Sequence, residues 1–198
     1  MTIRLQAVRP GEGGSSLIEV LVSTLVFSIG VLGVTGLGAF SKRATYEAVQ
    51  RTTAAELAYT LLEEMRSNKA AIGVYLAAGT LGHNSLGAEP IPDCDAPGAV
   101  CSAAEFTAHS LWAWERMLDT GMESSGGAGT GGLVEPSACI TGPVGGAPGD
   151  YVVTVVWRGV TELTDSGLSN CGAGTGLYGA GNNMRRMVVV QSFIDPTI

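Results

Sequence analysis

Leu17-Ile-Glu-Val-Leu-Val-Ser-Thr-Leu-Val-Phe-Ser-Ile-Gly-Val-Leu-Gly-Val-Thr-Gly-Leu-Gly-Ala-Phe40 decides how this chain is read. It is predominantly apolar, and Glu19 is its single formal charge. At about 1.5 Å per residue, such a run forms a helix that crosses a bilayer core of about 30 Å. An unpartnered carboxylate there costs on the order of 2.5–3.5 kcal/mol on insertion scales, so Glu19 needs a partner, a proton or the interface.

The residues before the run carry Arg4, Arg9 and Glu12 and end in Gly13-Gly14-Ser15-Ser16. In a secretory signal the small-residue cleavage site follows the apolar core; here it precedes it. A cut after Gly14 therefore leaves the apolar run on the mature chain. Arg4 and Arg9 predict a cytoplasmic N-terminus with the rest sent outward, although Lys42 and Arg43 flank the far side. The expected organisation is a leader at 1–14, a membrane half of the helix at 15–41, and a head domain at 42–198 that includes the second half of the helix. Cleavage would expose a cationic α-amine on Ser15, four residues before Glu19. In an assembly, the Glu19 of one subunit could then pair with the Ser15 amine of a neighbour, each neutralising the other in apolar surroundings.

The helical pattern continues beyond the membrane, with no Pro from Ser15 to Lys69. A continuous helix over that stretch would be on the order of 80 Å long. Ala48, Thr52, Ala55, Tyr59, Leu62 and Met65 are the expected inward stripe, and Glu47 and Arg51 an outer i,i+4 pair. Gly30, Gly33, Gly36 and Gly38 mark either a zone that can unwind or small-residue packing against neighbouring helices. Residues 79–101 read as a proline-containing loop. Ser102-Ala-Ala-Glu105 is a capping-box signature, predicting a helix near 103–119. Residues 124–132 read as a Gly/Ser loop. Strands are expected at 151–157 and 187–194, with a short third at 138–141 and a Gly-rich excursion at 165–183. Helix first and strands last predict an α+β fold, a small antiparallel sheet laid against the long helix.

With a net charge of −7 the chain has no electrostatic footprint for nucleic acid. Its four cysteines, Cys94, Cys101, Cys139 and Cys171, all follow the apolar run. An even count on one side of a membrane segment points to disulfides in an oxidising compartment. Metal is disfavoured, since there is no C-x-x-C pair and His83 and His109 are isolated in sequence. Three connectivities are open; Cys94–Cys101 with Cys139–Cys171 is favoured because each closes a local loop. Two G-x-G-x-x-G matches, at 127–132 and 174–179, lack the strand–turn–helix context of a dinucleotide site. No catalytic constellation and no cofactor site is read. Asp93 and Asp95, bracketing Cys94, read as solvated loop charges, as do Arg185 and Arg186 at the entrance to the last strand. Trp112, Trp114 and Trp157 read as core.

Gly14-Ser-Ser-Leu-Ile-Glu19-Val-Leu-Val resembles the class III signal of type IV pilins and type II secretion pseudopilins. Together with Ser28-Ile-Gly-Val-Leu-Gly33 and Ala55-Glu-Leu-Ala-Tyr-Thr-Leu-Leu-Glu-Glu-Met-Arg66-Ser-Asn68, residues 11–70 look most like the PilV-type minor pilins, the type IV pilus modification proteins. Ser15 stands where Phe or Met is typical. The resemblance implies a prepilin peptidase cut after Gly14, N-methylation at Ser15 and assembly guided by Glu19. It further implies a nonenzymatic inner-membrane subunit with a periplasmic head, whose partners are other minor and major pilins, the peptidase and the assembly platform. A type II secretion minor pseudopilin and a pilus-tip adhesion subunit are the alternatives.

Overall fold

The computed structural model describes Gly14 and residues 16–121, 124–125, 128–129 and 132–197. Helix α1 spans Leu17–Ser67 and α2 spans Ile72–Ala77. After strand β1 (Thr80–Leu81) comes helix α3 (Ala103–Thr120). Strands β2 (Ser124–Ser125) and β3 (Ala128–Gly129) form a short hairpin, placing paired backbone where the sequence predicts only loop. β4 (Ser137–Thr141), β5 (Gly149–Arg158) and β6 (Arg185–Ile194) complete the chain. The main sheet has the order β1-β4-β5-β6, antiparallel throughout. This is the α+β, pilin-like arrangement expected. By contacts the chain divides into two units between Ala44 and Thr45.

In the first unit, α1 stays helical through Gly30, Gly33, Gly36 and Gly38, and a Cβ built at any of the four meets nothing within 4 Å. The hydroxyls within the apolar run bond back along the helix. Ser23 donates to the Glu19 carbonyl at 2.7 Å, Ser28 to Thr24 at 2.7 Å, Thr24 to Leu21 at 2.9 Å and Thr35 to Leu32 at 3.0 Å. Such bonds satisfy polar side chains without water, a requirement in hydrocarbon.

In the second unit, the buried stripe of α1 is Gln50, Ala54, Leu57, Ala58, Leu61, Leu62 and Met65. The stripe expected from sequence is corrected. Leu62 and Met65 are buried, but Ala48, Thr52 and Tyr59 face solvent and Ala55 is half-buried. The true face lies about 100° round the helix, one residue step. The branched residues Leu57, Leu61 and Leu62 set the packing, because they bury far more apolar area than Ala48 or Thr52. They join Leu111, Trp114 and Leu118 of α3 and Tyr151, Val153 and Val155 of β5 in one core. The Trp114 indole N–H donates to the Leu57 carbonyl at 3.0 Å, satisfying a fully buried donor.

β5 does not alternate apolar and polar because both its faces are covered. Tyr151, Val153, Val155 and Trp157 face the main core, while Val156 joins a second cluster with Cys171 and Tyr178. The second cluster is built by the 165–183 excursion. Arg185 holds that excursion and is not the solvated residue expected. It is 5% exposed, pairs with Asp165 at 2.9 Å, and donates to the carbonyls of Cys171 at 2.8 Å and Ser169 at 2.7 Å. A guanidinium buried in this way is tolerable because its donors are met by a carboxylate and two carbonyls. Arg186 likewise turns inward, donating to the Thr161 carbonyl at 2.5 Å, with Glu47 3.7 Å away. Glu47 accepts from the Thr161 hydroxyl at 2.9 Å and so faces the Thr161 loop, in place of the expected pairing with Arg51.

Candidate functional site

The site marked out by sequence begins at the start of α1. Glu19 occupies its first turn, where a carboxylate complements the helix dipole, and its backbone N–H donates to the Ser16 carbonyl at 2.9 Å. Its side chain is exposed. Gly14 is exposed as well. Ser15 and residues 1–13, which include most of the expected leader, lie outside the described residues, so the expected methylation position and amine partner of Glu19 are not part of the described geometry.

The surface following Glu19 is the most unusual on the chain. Leu17, Leu32, Val34 and Phe40 are 79%, 71%, 73% and 71% exposed, and the most apolar window of the helix reaches a mean hydropathy of 2.3 with none of it buried. The helix is long and apolar enough to cross a membrane. Large contiguous apolar surface on a chain signals a membrane or a protein partner.

The four cysteines form Cys94–Cys101 and Cys139–Cys171, the connectivity that local loop closure favours. Cys139–Cys171 ties β4 to the excursion under the second cluster. Cys94–Cys101 closes a small ring directly before Ser102. That residue caps α3 with a full capping box: its hydroxyl accepts from the Glu105 N–H at 3.4 Å, and the Glu105 carboxylate accepts from the Ser102 N–H at 2.8 Å. The bond to the Ser102 backbone, followed by that to its hydroxyl, holds the Glu105 carboxyl below its ordinary value.

Two groupings on α3 escape the sequence reading. Glu115, fully buried, points its carboxylate at the chain after β1 and accepts from the N–H groups of Gly82 at 2.7 Å, Ser85 at 2.8 Å and Leu86 at 2.9 Å, and from the Ser85 hydroxyl at 2.5 Å. Burial pushes this carboxyl up, but the four hydrogen bonds together outweigh it and hold the group below the usual carboxylate value. One turn on, Asp119 accepts from the N–H groups of His83 at 2.8 Å and Asn84 at 2.7 Å, both of which have a left-handed φ of 56°. Gly82 must be glycine: its φ is 113°, and a Cβ there would stand 2.6 Å from the Pro136 carbonyl oxygen. The sequence signal for this anchoring was the i,i+4 acid pair Glu115/Asp119 opposite a Gly-His-Asn turn.

The second grouping is His109 with Glu89 and Asp93. His109 is isolated in sequence, yet its Nε2 lies 3.3 Å from Glu89 Oε1 and 3.4 Å from Asp93 Oδ1. Asp95 Oδ2 stands 3.9 Å from Nδ1. The imidazole is buried, its side chain 5% exposed, while Asp93 and Asp95 are solvent-exposed loop charges as expected, with Asp93 also at ion-pair distance from the ring. Of the expected core tryptophans, Trp114 and Trp157 are buried, while Trp112 is half-buried and donates to the Gly87 carbonyl at 3.1 Å. The second glycine motif, 174–179, runs into a three-residue 3₁₀ turn at Ala180–Asn182, so no long helix N-terminus follows it.

Comparison with known protein families, with curated proteins and with solved structures returns no match to this chain.

Proposed function

We propose that this chain is a minor pilin, a nonenzymatic subunit of a type IV pilus. Prepilin peptidase cuts it after Gly14 and methylates the new amine on Ser15. The apolar half of α1 then holds it in the inner membrane, with the head in the periplasm, until it enters the filament with other minor pilins to prime or cap it. One observation carries this reading: Glu19 is the single charge at the head of a helix whose next twenty-one residues are uncharged, mostly apolar and unburied. A simple anchor has no need of that carboxylate, which costs on the order of 2.5–3.5 kcal/mol if it enters hydrocarbon alone. A neighbour's α-amine removes this cost, and because only one stagger between subunits brings the two together, the pairing sets register. Two disulfides in the head fit an oxidising compartment.

The test is Glu19→Ala in a cell that assembles pili. Membrane insertion and the cut after Gly14 persist, whereas the subunit is missing from sheared filaments. Wild-type incorporation of that variant refutes the pairing mechanism.

A further inference from the structure

We propose that Glu89, Asp93 and His109 form a binding site for a divalent transition-metal ion of the zinc class, which locks the 89–101 loop onto α3. The three ligating atoms lie within 4.8 Å of one another. Their separations suit a shared ion better than one short ion pair. A charge-assisted N–H···O bond is about 2.7–2.9 Å long, and one Nε2–H serves one acceptor well, not two. Here two carboxylate oxygens face the same nitrogen at 3.3 and 3.4 Å. With metal–ligand bonds of about 2.0–2.1 Å, the edge of a ligand tetrahedron is about 3.3–3.4 Å. Both nitrogen-to-oxygen separations thus match the edge of a ligand tetrahedron, and an ion among the three groups also removes the repulsion of two carboxylates gathered at one nitrogen.

The surroundings fit the assignment. His109 is immobilised by burial, on a helix whose start is fixed by the capping box and by the Cys94–Cys101 ring, and Asp93 sits beside that ring. Asp95 lies on the far side of the ring, its Oδ2 3.9 Å from Nδ1 on a side chain 80% exposed, and is not counted among the ligands. The Glu89 and Asp93 side chains are half-exposed, 47% and 54%, so an ion reaches the site from solvent and a small rotation closes it. The open fourth position takes water or a ligand from another molecule. An imidazole in the set selects zinc-class ions over calcium and magnesium, which take oxygen ligands. The site does not depend on the pilin reading.

The test uses the full chain in detergent, without a histidine tag, stripped with chelator and titrated with Zn²⁺ by calorimetry, with Ca²⁺ and Mg²⁺ in parallel. One equivalent of Zn²⁺ per chain is expected, and Co²⁺ in its place should give the visible absorption of a tetrahedral site. Glu89→Gln and Asp93→Asn, at half-exposed positions that leave the fold intact, should each weaken Zn²⁺ binding at least tenfold. His109→Gln should abolish it. His83→Asn, outside the cluster, should change nothing. Absence of saturable Zn²⁺ binding, Zn²⁺ affinity unchanged in both Glu89→Gln and Asp93→Asn, or equal affinity for Ca²⁺ overturns the proposal.

Discussion

Replacing Glu115 puts the polar anchoring of the head to a quantitative test. Its carboxylate accepts four hydrogen bonds, three of them from backbone N–H groups between Gly82 and Leu86. Hydrogen bonds to a charged group are worth about 1.5–3 kcal/mol each, but bonds sharing one carboxylate are not additive, and Ser85 is near enough to solvent for water to replace part of the loss. Glu115→Ala leaves those donors facing a cavity and should cost about 3–5 kcal/mol, from up to three stranded N–H groups at about 1–3 kcal/mol each less what water restores at Ser85. For a unit of this size that lowers the melting temperature by about 6–20 °C. Glu115→Gln keeps an oxygen for Gly82 and Ser85 but turns an NH₂ toward the Leu86 N–H, so about 1–3 kcal/mol is expected.

The pH dependence separates this explanation from simple packing loss. The folded carboxyl titrates below its ordinary 4.5. Its stabilisation is therefore complete above about pH 4.5 and is lost as pH falls from there through the folded value, the interval in which the unfolded chain takes up the proton before the folded one does. The wild type should lose stability on acidification below that point more steeply than Glu115→Gln. Melts followed by tryptophan near-UV circular dichroism, on the full chain in detergent, measure both effects. If Glu115→Ala melts within 1 kcal/mol of wild type, or if Glu115→Gln keeps the wild-type acid slope, the reasoning is wrong.

Glu64 should behave in the opposite way: burial raises its carboxyl to about 7, and Oε2 has no hydrogen-bond partner among the described residues. Stability should thus fall as pH rises from 4.5 through 7, and Glu64→Gln should stabilise the chain at pH 8 by about 1–2 kcal/mol after allowance for solvent screening of a half-buried group. An unchanged or lower melting temperature for Glu64→Gln at pH 8 contradicts this. Removing Cys139–Cys171 as a paired Ser variant should cost about 2–4 kcal/mol, more than removing Cys94–Cys101, since the bridged separations are 32 and 7 residues. Equal losses from the two variants would show that loop closure is not what distinguishes them.

How far the sequence carries depends on the range of the signal. The apolar run, the Ser102/Glu105 cap and the Val-rich strands are local patterns, and α1, α3, β5 and β6 follow them closely. The inward face of α1 beyond Thr45 was harder to place. Ala48, Thr52 and Ala55 repeat at helical spacing yet bury little, and Gln50, polar by type, turns inward where its Nε2 meets the Tyr46 hydroxyl at 3.2 Å. Arg185 looked solvated because its partners are carbonyls and an acid brought back by a twenty-residue excursion. Glu115 and His109 sit at helical positions whose partners lie on loop residues far back along the chain, Gly82 to Leu86 for the one and Glu89 and Asp93 for the other, a convergence that depends on tertiary packing. At the N-terminus, by contrast, the proposed role of the Gly14-to-Glu19 spacing rests on the order of residues along the chain and not on tertiary packing.

That order is also where the account is most exposed. Intact-mass and N-terminal mass spectrometry of the chain, recovered from membranes of cells containing a prepilin peptidase, is its most direct test. The account predicts a mature protein beginning at Ser15, with Glu19 as its fifth residue. A protein that still begins at Met1 in the presence of the peptidase, or one cut beyond Phe40 and released from the membrane, contradicts it.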